Sequence, residues 1–409
     1  MGGMDNKQQY PDRDELPTPV IGTGGFHHVK KDGTPKDRKL KLLGPGGHFW
    51  QLKHWLDERL TKKQLVIGSA VFIALFGGVI ALALSNRASA PKPKTPIVVR
   101  KQPVQSQPIV ITSPLTGLPV SAAASKRPVT GVMIENSDFA RPQSGLGQAG
   151  VVFEAIAEAG ITRFLALYQE AQPNNIGPIR SVRPYFLQWD MGFDAPLSHV
   201  GGSPEALNDI KAWNAKDLNE FYYGGYYHRI SSREAPHNMY TSMAQLNAIE
   251  KLNGWTSSNF TGFPRKPDAP SSSPNATTID LNPSWSDFAV HYEYDAKKNA
   301  YLRWLAGVKH IDANTGKQLE PKVVIAIIVP YSLESDGYHS RYGTIGSGEA
   351  YIFQDGTVTV GRWSKASTTA QIQFLDANNN PIKLDAGQTW ITALGSSSRV
   401  SYHGPAAKQ

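Results

Sequence analysis

The longest uncharged apolar stretch of the chain runs from Leu65 to Leu84. At about 1.5 Å of rise per helical residue, this stretch spans about 30 Å, the thickness of a bilayer core. It lacks the polar stripe that a helix on the surface of a globular domain normally shows. The pattern therefore predicts a transmembrane helix over residues 64–85.

The segments that flank this stretch differ in charge. Residues 1–63 carry 12 Lys and Arg against 8 Asp and Glu and show little apolar periodicity, which is typical of a disordered basic tail. Because Lys and Arg are in excess before the helix, the positive-inside rule predicts a cytoplasmic N-terminus. Residues 86–113 are rich in proline and predict an extended linker. We therefore expect a single-pass protein of the cell membrane with extracytoplasmic C-terminal domains.

Residues 114–263 mix strand-like and helix-like patterns. Alternating positions predict a hairpin of two strands around the Ala159–Gly160 turn, and Ser203 before Pro204 is typical of a helix N-terminus. The predicted strands are Val132–Glu135, Val151–Glu158, Ile161–Tyr168 and Pro196–Val200, and the predicted helices are Val182–Trp189, one beginning at Pro204, and Met239–Leu252. This order indicates a mixed α/β domain.

The second half has a different pattern. Residues 264–278, rich in Pro and Ser, predict another linker, and residues 279–402 carry short apolar runs separated by turn signals. The fold class we expect is α+β. An outer N-terminal mixed α/β domain precedes a mostly β C-terminal domain, and a single transmembrane helix tethers both.

Composition and charge exclude several classes of protein. The net charge of +8 is too small to indicate a nucleic-acid partner without a clustered basic stripe. The chain has no cysteine, which excludes disulfides, thiolate metal sites, a catalytic thiol and lipid attachment through Cys.

Polar side chains of chemically useful types crowd into residues 154–240. Arginines can hold phosphate or carboxylate in bidentate fashion, and a Gly-Gly-Ser turn before a helix can present backbone N–H groups to an anion. Within this region, Arg180, Arg183, Arg229 and Arg233 lie within 60 residues of one another together with His199 and His237, and they would leave positive charge unbalanced unless an anion or acidic partners compensate it. The predicted ligand-binding residues are Glu154, Glu158, Arg163, Arg180, Arg183, His199, Gly201, Gly202, Ser203, Arg229, Arg233, His237 and Asn238.

Each of these features has a structural alternative. Arg180 and Arg183 could pair with Glu154 and Glu158, the Gly-Gly-Ser turn could be only a helix cap, and His199 could be a core histidine. Glu154 and Glu158 could also form the catalytic carboxylate pair of a glycosidase. Four residues apart on one strand, they would lie about 13 Å apart, beyond the separation of about 5–9.5 Å in such pairs, which counts against this function.

No motif indicates a metal site or a cofactor. Magnesium enters only under an enzyme alternative, in which Asp190, Asp194 and Glu154 would hold it.

Several motifs occur in combination along residues 114–394: Arg141-Pro-Gln-Ser-Gly145, Glu158-x-Gly160-x-x-Arg163, Gly177-Pro-x-Arg180-Ser-x-Arg183, His199-x-Gly-Gly-Ser203, Pro236-His-Asn238, Gly361-x-Trp363-x-Lys365 and Gly387-x-Thr-Trp390. Together they resemble the YerB-like family of bacterial lipoproteins, a domain of unknown function with N- and C-terminal halves. The resemblance implies attachment to the membrane through a lipid-modified cysteine, whereas this chain has the predicted helix in its place. It implies no activity and no catalytic residues.

A second likeness is to the LytR-CpsA-Psr phosphotransferases, whose arginines hold a polyprenyl pyrophosphate. It rests on a hairpin with Thr-Arg, a Pro-x-Arg segment and a Gly-Gly turn before a helix. The Asp-rich magnesium motif of that family is not plainly present.

The sequence therefore supports three hypotheses. The first is an envelope protein that binds an anionic cell-wall, phosphate or lipid-linked ligand. The second is an enzyme resembling those phosphotransferases, with His199 or Asp194 as general base. The third is a structural or partner-binding protein whose charges form internal ion pairs. The sequence does not decide whether the protein is an enzyme.

Overall fold

The computed structural model describes residues 110–405. The predicted basic tail, transmembrane helix and nearly all of the predicted linker 86–113 lie outside the described residues. Between residues 110 and 405, no helix is long and apolar enough to cross a membrane.

The N-terminal half alternates strands and helices, as its mixed pattern predicted. Its strands are β1 (Ile111–Thr112), β2 (Pro119–Val120), β3 (Thr130–Glu135), β4 (Val151–Glu158), β5 (Ile161–Tyr168), β6 (Leu197–His199), β7 (Asp217–Asn219), β8 (His228–Arg229) and β9 (Met239–Tyr240). Its α-helices are α1 (Pro184–Met191), α2 (Pro204–Ala212), α3 (Glu220–Tyr223) and α4 (Met243–Leu252).

The C-terminal half is mostly β, which confirms the second part of the expected fold class. Its strands are β10 (Arg265–Lys266), β11 (Thr278–Leu281), β12 (Val290–Asp295), β13 (Ala300–Leu305), β14 (Val308–Lys309), β15 (Val323–Ile328), β16 (Tyr331–Leu333), β17 (Ser340–Tyr342), β18 (Gly346–Gln354), β19 (Thr357–Lys365), β20 (Gln373–Leu375), β21 (Leu384–Asp385), β22 (Thr389–Leu394) and β23 (Val400–His403).

A ten-stranded sheet joins the two halves, in the order β20-β19-β18-β15-β22-β4-β5-β3-β6-β7. At its centre β22 of the second half pairs in parallel with β4 of the first, from Thr389 beside Val151 to Thr392 beside Glu154. Residues 264–278 therefore connect two halves that share a sheet, and they do not separate two independently packed domains. A five-stranded antiparallel sheet, β14-β13-β12-β11-β23, forms a second layer.

Side-chain alternation explains how the central sheet is covered. Phe153 and Ile325 face one side, where they pack with Phe186 and Trp189 of α1. In the first half of the sheet, Val152 and Phe164 face the other side and pack with α4. In the second half, Val324 faces the five-stranded sheet. Apolar burial on both faces accounts for the nearly continuous hydrophobic runs of the central strands.

Two helices begin later than the sequence pattern indicated. Val182 forms a bridge with Gly202, so the first helix starts only at Pro184. Met239 belongs to a short strand, and Ser242 then caps the last helix by accepting a hydrogen bond from the Gln245 N–H.

Candidate functional site

One edge of the central sheet collects most of the charged residues of interest. Strands β3, β4, β6, β7, β15 and β22 run in the same direction, so their carboxyl ends lie along this edge. Ligands of open α/β sheets bind outside the carboxyl ends of such strands. Three cavities of about 450, 470 and 440 Å³ are lined by the loops at this edge, and we name them the His237, Arg341 and Trp285 cavities.

A β-bulge sets the position of Glu158 at this edge. The register of β4 against β5 shifts between Ile156 and Glu158, which turns Glu158 to the face that carries α1. The alternation assumed from sequence would instead have placed Glu154 and Glu158 on the same face. Glu158 consequently meets Arg163 and Arg183.

Glu158 holds both arginines directly. Its Oε1 accepts a hydrogen bond from Arg163 Nη2 at 2.5 Å, and its Oε2 accepts one from Arg183 Nη2 at 2.6 Å. Burial raises the pKa of Glu158, but the two arginines outweigh this effect and hold the pKa below its usual value. Arg163 also donates to the Ser181 carbonyl, and Arg183 donates to its neighbour's carbonyl at Val182. For Arg183 these contacts fit the alternative of internal pairing with Glu158, and Arg163, which that alternative did not include, pairs with the same carboxylate.

Arg180 stands apart from this pair of arginines. Within residues 110–405 its side chain makes no hydrogen bond, and its nearest carboxylate oxygen is Glu135 Oε1, 3.5 Å from Nε. The side chain remains 26% exposed. Arg180 is therefore a cation at the sheet edge whose hydrogen-bonding capacity the described part of the chain leaves unused.

Glu135 and His237 form a carboxylate–histidine pair next to Arg180. His237 Nδ1 lies 2.8 Å from Glu135 Oε1, and Ser137 Oγ donates to the same oxygen at 2.8 Å. Donation from Nδ1 to a carboxylate leaves Nε2 as the acceptor of a neutral ring. Glu135 Oε2 is buried and has no partner among the described residues. The pair lies beside the His237 cavity, which Phe139 and Arg233 also line.

The loop that carries Arg229, Arg233 and Asn238 is held by its own side chains. Arg229 Nη1 donates to Asn238 Oδ1 at 2.7 Å, and Asn238 Nδ2 donates to the carbonyls of Ile230 and Arg233. Arg233 donates to two exposed carbonyls, including that of Pro142 at 2.6 Å. Arg233 therefore faces the cavity without a carboxylate partner in the described part of the chain, whereas Arg229 and Asn238 have structural roles.

His199 and the following turn are used internally, contrary to the expected anion nest. His199 is fully buried, with Nδ1 at 2.7 Å from the Gly201 carbonyl and Nε2 at 2.9 Å from Asp217. The N–H of Gly201 donates to Asn219, and the N–H of Ser203 donates to the Val182 carbonyl. Both ring nitrogens and these two N–H groups are thus occupied, so a role for His199 as general base does not fit.

The remaining glycine and serine of this turn serve packing and capping. A Cβ on Gly202 would lie 2.7 Å from Val182 Cγ1. The Ser203 side chain accepts a hydrogen bond from Ala206 N and so caps α2. The sequence Gly-Gly-Ser therefore reflects close packing and a helix cap.

The carboxylates considered for magnesium do not converge. Glu154 is buried on the opposite face and pairs with Arg303 of the second half at 2.8 Å. Asp194 accepts from Lys216 at 2.7 Å and from Asn259 N at 2.9 Å, at the carboxyl end of α1. Asp190 is fully buried, and burial raises its pKa well above its usual value. Asp194 is consequently unsuited to the role of general base at the sheet edge.

Sequence reasoning overlooked Glu135. It ends an apolar strand and precedes Asn136 and Ser137, and polar residues directly after a buried strand indicate a carboxyl-end site. Its partner His237 lies 102 residues further along the chain, so no spacing pattern joins the two.

The fold and this edge together define a class: an α+β protein with a central mixed sheet and a charged cleft at its carboxyl edge. The family described as "Protein of unknown function (DUF3048) N-terminal domain" matches residues 115–256, and the corresponding C-terminal domain matches residues 279–391. The chain belongs to this YerB-like family, as the motifs predicted.

Two comparisons with a protein of Bacillus subtilis support this assignment. "Putative lipoprotein YerB" of strain 168 is 29% identical over 288 residues, which cover 69% of this chain and 86% of YerB. The crystal structure of YerB protein from Bacillus subtilis matches with a TM-score of 0.65 at 28% identity, covering 71% of this chain and 99% of that chain. The similarity therefore extends to the arrangement of both halves.

Proposed function

We propose that the protein is a membrane-tethered extracytoplasmic protein that binds an anionic glycan, phosphate or lipid-linked ligand of the cell envelope at the His237 cavity, with Arg233 in its lining and Arg180 next to the Glu135–His237 pair. The description of YerB as a lipoprotein supports a location at the outer face of a membrane. In this chain the apolar segment Leu65–Leu84 would supply the tether.

Arg180 carries the proposal. A guanidinium presents five N–H donors in a planar fork that matches phosphate and carboxylate groups. Glu158 accepts hydrogen bonds from both Arg163 and Arg183, whereas Arg180 makes no side-chain hydrogen bond within residues 110–405 and has Glu135 Oε1 at 3.5 Å as its nearest carboxylate oxygen. His237 Nε2, in the lining of the cavity, would accept from a ligand hydroxyl group. The cleft thus suits a ligand that carries an anionic group and hydroxyl groups, such as an anionic glycan.

Binding of dextran sulfate by the full chain in detergent micelles tests this proposal, with uncharged dextran as the control ligand. Because charge-assisted hydrogen bonds contribute about 1.5–3 kcal/mol, Arg180→Ala should weaken binding at least tenfold. Affinity should also fall as salt rises. Arg362→Ala is the matched variant, since it removes one partly exposed arginine of β19 whose side chain, among the described residues, donates only to Asn379. Equal binding by the two variants would favour the structural alternative.

The Glu135–His237 pair favours an enzyme as the second candidate. A carboxylate that orients a histidine and leaves Nε2 free is the arrangement of a general base, and Arg180 and Arg233 would hold a phosphoryl group beside it. Incubation with a polyprenyl-pyrophosphate-linked oligosaccharide, a glycan acceptor and magnesium tests this candidate. Transfer should be lost in His237→Asn and kept in Arg362→Ala, and transfer that survives His237→Asn would contradict it.

The tether is tested separately. The full chain should sediment with membranes and resist extraction by high salt, and deletion of residues 64–85 should release it. Protease added to intact cells should digest residues 110–405 if these lie outside the cytoplasm.

A further inference from the structure

A cluster of three carboxylates lies away from the charged edge, where the segment between the two halves meets the central sheet. Asp268 belongs to this segment, Asp355 to the β18–β19 turn and Asp385 to β21, and one oxygen of each lies within 4.8 Å of the others. Their positions are far apart in the sequence, so the fold alone brings them together.

The polar groups of this cluster are not all satisfied. Asp385 is fully buried, and its Oδ2 has no hydrogen-bond partner among the described residues. Unpaired buried oxygens are costly, and a bound cation with its water ligands would satisfy them.

The charges of the cluster do not cancel. Lys266 Nζ bridges Asp355, at 2.5 Å, and Asp385, while Lys322 Nζ binds Asp268 at 2.6 Å. The groups joined by these ion pairs, three carboxylates and two ammonium groups, leave one negative charge, and the Arg265 guanidinium also acts electrostatically on Asp385. Lys266 is partly exposed on a flexible stem, so it can swing outward and give up its place to an ion.

We propose that Asp268, Asp355 and Asp385 form a divalent-cation site that takes Ca²⁺. Its ligands are hard oxygens, which suit Ca²⁺, and the ion tolerates the irregular geometry of groups supplied by three separate segments. The bound ion ties the segment 264–278 to the turn at Asp355 and so fastens the connection between the halves. Because Lys266 competes for the site, binding falls in the weak range of extracellular Ca²⁺ modules, about 10⁻⁴–10⁻³ M.

Calorimetric titration of Ca²⁺ into the EDTA-treated full chain in detergent micelles tests the proposal, together with the melting temperature in 10 mM CaCl₂. The wild-type chain should bind one Ca²⁺, and its melting temperature should rise by roughly 3 °C. Lys266→Met should bind at least tenfold more tightly, because the competing ammonium group is gone. Asp355→Asn should lose binding, and Glu349→Gln, which alters an exposed carboxylate of β18, should not.

The variants also separate the other outcomes. Absence of Ca²⁺ binding in both the wild-type chain and Lys266→Met overturns the proposal, since the cluster is then a closed ion-pair network. If Lys266→Met binds Ca²⁺ and the wild-type chain does not, the proposal is also overturned, because the Lys266 ammonium group then occupies the site in the natural protein. Circular dichroism of Asp355→Asn shows whether its loss of Ca²⁺ binding reflects a loss of folding. If Asp355→Asn is unfolded, the Ca²⁺ affinity of Lys266→Met decides whether the site exists.

Discussion

At the scale of single residues, the pair Glu154–Arg303 is the most deeply buried ion pair of the described residues. Both side chains are fully buried, and their nearest atoms lie 2.8 Å apart. Arg303 Nε also donates to His310 Nδ1 at 3.0 Å, and the guanidinium lies over the Trp390 ring at 4.2 Å. Every charge of this network has a partner, which is the condition for tolerating ions in a core.

We expect Arg303→Ala to destabilise the protein by about 3–5 kcal/mol, because it leaves Glu154 buried without its counter-charge. Arg341→Ala is the control, since Arg341 pairs with Glu334 at 2.7 Å on the surface, where such pairs contribute about 0–1 kcal/mol. Urea denaturation of both variants gives the two free energies of unfolding. Similar values for the two would contradict the view that Arg303 neutralises Glu154.

The acid Glu250 predicts a pH dependence. It is buried and accepts a hydrogen bond from Thr130 at 2.6 Å, and burial raises its pKa to about 7. The folded state therefore binds this proton more tightly than the unfolded state, whose pKa lies near 4.5. The contribution of the Glu250 proton to the free energy of unfolding, on the order of 3 kcal/mol, is fully present below pH 4.5 and is lost as pH rises to about 7.

Urea denaturation at several pH values measures this effect. Glu250→Gln removes the titration and should flatten the dependence of unfolding free energy on pH between 4.5 and 7. Glu349→Gln, on an exposed carboxylate, should leave the dependence unchanged. If Glu250→Gln left the pH dependence of the free energy of unfolding unchanged, Glu250 would have the same pKa in the folded and unfolded states.

At the scale of elements, three hairpins of the described residues share one kind of turn, including Asp355–Gly356 between β18 and β19, and two of the three can be compared directly. Ala159–Gly160 connects β4 to β5, and Ala306–Gly307 connects β13 to β14. Both residues of each turn have positive φ, the geometry of a type I′ turn, which favours the right-handed twist of a hairpin. The two turns differ in their surroundings, since the first packs against Trp285 and the second is open.

This difference makes Gly160→Ala and Gly307→Ala a matched pair. Both place alanine at positive φ, which costs about 1 kcal/mol. Only at Gly160 would the new Cβ lie 2.6 Å from Ser284 Oγ and 2.9 Å from Trp285. We therefore expect Gly160→Ala to destabilise the protein by about 1–3 kcal/mol more than Gly307→Ala, measured by urea denaturation. Equal effects would show that Trp285 moves aside without cost.

At the scale of the whole molecule, the two halves complete one another. β22 lies between β15 of its own half and β4 of the other half. Side chains also cross this junction, as Gln143 Oε1 accepts from His310 Nε2 at 2.9 Å in addition to the Glu154–Arg303 pair. Separation would expose a long apolar strand edge on each side.

We therefore predict that residues 279–405 expressed alone do not fold cooperatively, and that co-expression with residues 110–263 restores a complex. Thermal melting by circular dichroism and co-purification through a tag on one half check this. The continuous segment 110–405 is the control. A sharp melting transition of residues 279–405 alone would contradict the prediction.

The sequence by itself determined the long central strands of the first half, the Ala159–Gly160 hairpin turn, the cap at Ser203 and the family, because periodicity and turn chemistry act over a few neighbouring residues. The tertiary structure alone decided the partners of the charges. Glu154 meets Arg303, 149 residues away, while a one-residue bulge turns Glu158 toward Arg183. The low exposure of His199 and the convergence of Asp268, Asp355 and Asp385 likewise follow from sheet order. Contacts between distant segments depend on strand pairing, which no local pattern encodes.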